Sequence, residues 1–162
     1  MRRQSGVAAR SHPRASTEID APLDQVWSVM LDTASYAEWN PFVVRVECPS
    51  PPQVGDPIVL HVQWANGRGT TSPERISVIE PPRDDADGVR RATLAYVYEG
   101  WPARLRLVRG TRTQRLSQAP GGPTRYDTVE ELTGPLVGLA GPQRVEEGFR
   151  RHAEGLRRRC EH

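Results

Sequence analysis

From Phe42 to about Leu132 the chain runs for roughly ninety residues in short period-two alternations, with no helical stretch between them, and it closes on one long amphipathic helix. That order excludes most α/β architectures. Parallel strands need crossover connections of about a dozen or more residues, usually helical, whereas the breaks here, PSPPQVG, ANGRG, PPRDDADG, Gly100-Trp101-Pro102 and APGGP, are Gly-, Pro-, Asn- and Asp-rich turns. Six strands fit between them: FVVRVEC, DPIVLHVQW, TTSPERISVIE, VRRATLAYVYEG, ARLRLVRGTRTQRLS and TRYDTVEEL. An antiparallel meander is the implied arrangement.

Before this block, Ala15 to Asp20 alternates as a short strand, and Ala21-Pro22 ends it. Pro22 suits the start of a helix, in which Val26, Trp27, Met30 and Leu31 share one face. A second short helix is predicted over Ala34 to Glu38, and Trp39-Asn40-Pro41 terminates it, because a residue preceding proline is pushed out of the α region. After the strands, a helix is predicted from Pro142 to Glu161. Val145, Phe149, Ala153, Leu156 and Cys160 recur along it every three or four residues, an apolar stripe to lay against a sheet. The expected fold is therefore α+β, about seven strands in the order β-α-α-β6-α, strongly curved around the long C-terminal helix. A curved sheet that one helix cannot fill leaves a pocket between them.

A length of 162 residues fits one domain, read as 15–162 behind a disordered basic tail of residues 1–14. All 22 basic residues are Arg, which removes any mechanism that needs a lysine amine. The net charge of +2 is unevenly placed: residues 1–14 carry +4, residues 144–162 carry +2, and the acidic middle carries −4. A nucleic-acid reader concentrates basic charge on its folded surface, so no nucleic-acid partner is expected. No apolar run reaches the ~18–20 residues that cross a bilayer, and no signal segment is recognised at the N-terminus. Cys48 and Cys160 lie far apart with no CxxC pattern, which favours free thiols and a cytoplasmic location. A monomer or homodimer is expected.

Residues 18 to 43, EIDAPLDQVWSVMLDTASYAEWNPFV, together with TRYDTVEELTGPLVGL and the closing GFRRHAEGLRRRCE, resemble the START-like or helix-grip superfamily, also called SRPBCC or polyketide cyclase/dehydrase and lipid transport. The resemblance spans about residues 15 to 161. It implies an open-ended cavity for a hydrophobic or amphipathic molecule, a lipid, quinone or polyketide-like compound. It also implies, as the alternative, a cofactor-free cyclase or dehydratase. Many relatives carry His-x-Phe-x-Leu in the penultimate strand, where this chain has Arg112, Gln114 and Leu116.

Arg112 and Gln114 share a strand face by the period of two. Facing the pocket, Arg112 would anchor an oxyanion with its fork of donors; one residue out of register, both would face solvent. Glu130, on the next strand, is a candidate general base or a structural partner of Arg112 or Arg115. His61 is the histidine of the β region and the third catalytic candidate. Trp64, Tyr96 and Tyr98 are candidate ligand walls or core. Trp39 is placed at the rim or in the core, Trp101 at an entrance lid, and Phe149 and His152 on or beside the helix stripe facing the cavity. There is no GxGxxG, Walker A, HExxH or GxSxG, no EF-hand at DDADG, and no cluster of metal-ligand spacing, so neither metal nor cofactor is expected. A third possibility is a protein-interaction module using Arg157, Arg158 and Arg159.

Overall fold

The computed structural model describes residues 9–162. In chain order its elements are β1 (Arg10–Ser11), β2 (Arg14–Ile19), α1 (Leu23–Leu31), a 3-10 turn (Thr33–Ser35) running into α2 (Tyr36–Trp39), β3 (Val43–Glu47), β4 (Pro57–Gln63), β5 (Gly69–Asp84), β6 (Arg90–Tyr98), α3 (Trp101–Arg104), β7 (Arg109–Gln118), β8 (Thr124–Thr133), a 3-10 segment (Val137–Ala140) and α4 (Pro142–Glu161). The strands form one antiparallel sheet in the order β1-β8-β7-β6-β5-β4-β3, with β2 also on β8. Every neighbour from β3 to β8 is joined by a local connection, as the short turns require.

Three details depart from the sequence expectation. Of the proposed tail 1–14, residues 1–8 lie outside the described residues, but Arg10 and Ser11 pair with Thr133 and Leu132, and Arg14 opens β2 opposite Val129. These residues are therefore sheet rather than tail, and the strand count rises from seven to eight because Pro13, which has no N–H, splits the edge. β5 runs on through Pro81 and Pro82 to Asp84, beyond the expected turn. A register shift between Glu80 and Arg83 accommodates the two prolines, since a bulge needs no ladder donor from them. β7 begins at Arg109, and the residues before it make a helical turn started by Pro102.

α4 lies in the concavity of this sheet. Its stripe is buried throughout, with Leu156 fully enclosed and Phe149, Ala153, Val145 and Cys160 nearly so. α1 closes the same core with Leu23, Val26, Trp27 and Met30. Two glycines one heptad apart let the chain after α2 press on α4: a Cβ at Gly148 would meet the Phe42 ring, and one at Gly155 would sit 2.6 Å from the Trp39 carbonyl oxygen. Register shifts between Val43 and Arg45 and between Ile76 and Val78 mark local bends in β3 and β5. The helix then covers one end of the concave face, and the other stays open.

Candidate functional site

The uncovered end is a cavity of about 400 Å³ between the sheet and the N-terminal half of α4. Its walls are apolar: Phe42, Leu60, Val62, Leu132, Val145 and Phe149 all line it. They come inward by strand parity, since Ile58, Leu60 and Val62 on β4 are buried while the residues between them are not. Trp64 and Trp101 sit nearer the mouth with Leu136 and Leu139; Trp101 is 67% and Leu139 79% exposed. Exposed apolar side chains of this size cluster at openings that receive something apolar.

The floor is charged. Glu74 on β5, Arg112 on β7 and Glu130 on β8 all line the cavity. Arg112 and Glu130 are direct cross-strand partners, and Tyr96 neighbours Arg112 on the other side. Arg112 is held by its surroundings: Nε donates to Thr128 Oγ1 at 3.0 Å, Nη2 to Tyr126 Oη at 3.3 Å, and its guanidinium carbon lies 4.3 Å over the Phe149 ring. Tyr126 in turn donates to Gln114 Oε1 at 2.7 Å, and Gln114 Nε2 donates to Tyr96 Oη at 3.3 Å. This chain of buried donors and acceptors fixes the fork in one place.

Glu74 is buried and accepts from Ser72 Oγ at 3.1 Å. Burial, reinforced by Glu130, pushes its carboxyl up to about 8, against the opposing pull of Arg112. Burial also raises Glu130, again against Arg112. Desolvation disfavours the ionised form of each acid, so the floor is a cation flanked by two reluctant anions. No ion pair within 4.0 Å joins Arg112 to either of them among the described residues.

The candidate residues divide cleanly. Trp64, Tyr98, Trp101, Arg112, Glu130 and Phe149 line the cavity. Tyr96 and Gln114 lie beneath its floor as supports of Arg112. Trp39 and His152 are placed elsewhere, packed edge to face with ring centroids 5.6 Å apart. His152 also stacks on Tyr126, and its Nδ1 meets Asn40 Nδ2 at 3.0 Å. Asn40 Oδ1 accepts from the backbone N–H of Phe42 and Val43, which fixes the amide, so Nδ1 of His152 is the acceptor. Burial and Arg112 hold this imidazole well below its ordinary range. It is a neutral staple between helix and turn.

His61 does not reach the cavity. It faces outward between Leu60 and Val62, and its Nε2 lies 2.9 Å from Glu47 Oε2 at the surface. As a proton shuttle for this site it is excluded by position. Glu74 was missed by sequence reading. The signal was its place two residues before Ile76, a carboxyl on an inward apolar face. Gly110 carried another: glycine inside a strand marks a close approach, and a Cβ there would lie 2.7 Å from Glu130 Oε1.

A family model described as polyketide cyclase / dehydrase and lipid transport matches residues 12–161. The chain belongs to that family. Its fold is also that of solved structures of low sequence identity. The Zhui aromatase/cyclase of Streptomyces sp. R1128 superposes with a TM-score of 0.70 at 21% identity, covering 94% of each chain. The major latex-like protein 151 of Panax ginseng gives 0.69 at 10% identity, over 93% of this chain and 97% of that one. Truncated norcoclaurine synthase of Thalictrum flavum gives 0.61 at 11% identity, covering 93% of both. No curated protein sequence matches the chain significantly. Helix-grip members thus share this chain's architecture, and what its cavity accepts is decided by its own floor.

Proposed function

We propose that this protein binds a hydrophobic or amphipathic small molecule in the cavity, with the polar end of that molecule on the floor formed by Arg112, Glu74 and Glu130. The observation that carries the reading is the combination of apolar walls with one tethered cation at their base. Ligand sites are mostly apolar with a few convergent polar groups that fix orientation. A delipidated sample should gain several degrees of thermal stability from at least one member of a lipid, quinone and polyketide library. No gain from any of them would sink the proposal.

A second reading has its own support. A cofactor-free cyclase or dehydratase needs at least two titratable groups converging in one cavity, and Glu74, Tyr98, Arg112, Glu130 and Arg144 line this one. Arg112 would stabilise an enolate oxygen, while a glutamate held protonated near neutral pH would donate, and its ionised partner accept, a proton. A poly-β-ketone incubated with the protein should then lose water or cyclise at a rate abolished by Glu74→Gln. The interaction-module reading draws less support, because Arg157 and Arg158 pair with Glu154 and Arg159 with Glu38. No described helix is long and apolar enough to cross a membrane. Both cysteines are free, in keeping with a reducing cytoplasm.

A further inference from the structure

We infer that the cavity selects hydrophobic molecules with an uncharged polar head and rejects carboxylates, because Glu74 and Glu130 already supply the counter-charge of Arg112; this rests on the ligand-binding reading above. The charged side chains lining the cavity, among the described residues, are Glu74, Arg112, Glu130 and Arg144. Arg144 is exposed and stacked over Trp64, 4.4 Å from the ring centroid, at the solvent side. The floor therefore holds one cation and two acids.

Strand register brings the acids together. Tyr96 pairs with Arg112 and Arg112 with Glu130, so these three share one row across the sheet. In the next row on the same face, Glu74 pairs with Tyr98 and Gly110 with Leu132. Gly110 leaves a vacancy in that second row, and Glu130 Oε1 occupies it: an added Cβ would be only 2.7 Å away. The Glu130 carboxyl thus leans out of its own row toward the row of Glu74, with Arg112 beside both.

An arginine stays protonated, and unbalanced charge in a desolvated site costs heavily. Two ionised glutamates would leave the floor at −1, so the pair retains one proton and the floor is neutral. The other titratable or charged groups facing it do not change that sum near neutral pH. Burial raises the phenols of Tyr96 and Tyr98 on β6 and Tyr126 on β8, and burial lowers His152 on α4; Arg144 remains at the solvent side. A ketone, alcohol or phenol entering here finds a donor in Arg112 and in the protonated acid, and an acceptor in the ionised one. A carboxylate adds a negative charge, so it enters only if a second proton comes with it.

The test uses an isosteric pair, 2-acetylnaphthalene and 2-naphthoate, titrated calorimetrically into the full-length protein at pH 7.5 in two buffers of different ionisation enthalpy. The ketone should bind on the order of tenfold or more tighter, with no net proton exchange. The naphthoate should take up about one proton and weaken about tenfold for each further pH unit. In the double variant Glu74→Gln/Glu130→Gln the floor is left at +1, so naphthoate should become the tighter ligand, with no proton uptake. Retained ketone binding by that variant shows that its cavity is intact; if it does not fold, proton counting on the unmodified protein still decides. Naphthoate binding as tightly as the ketone without proton uptake would overturn the inference while leaving the ligand site standing. Failure of the folded protein to bind either probe would instead remove the ligand-binding reading on which the inference rests.

Discussion

Two buried polar clusters flank α4, and they are built on opposite principles. Around Asn40 and His152 the amide is saturated at 2.9–3.0 Å, taking two backbone N–H groups and giving its own to the imidazole, while His152 Nε2 and the neighbouring Trp39 Nε1 are buried without a partner among the described residues. Around Arg112 the cation is fixed by neutral oxygens, and the two acids nearby stand apart from it, with the cavity among them. The first cluster holds helix to turn through the saturated Asn40 amide. The second has its spare hydrogen-bonding capacity on groups that line the cavity, available to something that enters.

The largest stability effect should come from the closed cluster. Asn40→Ala strands two buried N–H groups and an imidazole nitrogen, at about 1–3 kcal/mol for each unmet group before relaxation. At ~2–4 °C per kcal/mol for a chain of this size, the melting temperature should drop by at least about 6 °C in a calorimetric scan. A drop of less than about 2 °C would mean that the amide is not the staple described. The open cluster should behave in the reverse way. Arg112→Met removes a buried cation that two hydrogen bonds orient but no close carboxylate pairs, so a melting scan near pH 6 should move little while ligand affinity falls roughly tenfold to a hundredfold. Equal losses in stability and in binding would erase the contrast between the two clusters.

A third effect is smaller and depends on pH. Glu74 titrates near 4.5 in the unfolded chain and is raised to about 8 in the folded one. Below the lower value it is protonated in both states; as pH rises through the window the unfolded chain releases a proton that the folded chain keeps, so stability falls. Glu74→Gln cannot ionise and loses this slope. The melting temperature of the variant should therefore rise relative to the parent between pH 5 and 8, and parallel curves would contradict the burial of a raised acid. The smallest effect is at His61. His61→Ala removes a surface contact with Glu47, for which a change within about 0.5 kcal/mol is expected, and ligand affinity should be unaltered.

The architecture was legible because its signals are local. Alternation along β4 to β8 and the stripe on α4 are readable without knowing any partner, and they place Arg112, Gln114 and Leu116 on one face. The same parity, applied to Ile58, Leu60 and Val62, would have turned His61 outward. Glu74 was harder, since the bulge between Ile76 and Val78 breaks the parity that links it to the rest of β5. Arg10 and Ser11 show no apolar alternation at all, and only pairing with the distant β8 makes them a strand. Which of the open alternatives holds for Trp39 and Trp64, one half-buried beside His152 and the other lining the cavity, depends on how α2 sits on α4, a contact that residue spacing does not encode.

A crystal structure of the protein with 2-acetylnaphthalene tests most directly whether the open cluster is a site for ligand. The expected result is a ring enclosed by Phe42, Leu60, Val62 and Phe149, with the ketone oxygen within hydrogen-bond distance of Arg112. A saturated complex with the ring outside the cavity, or with its oxygen turned away from Arg112, would contradict it.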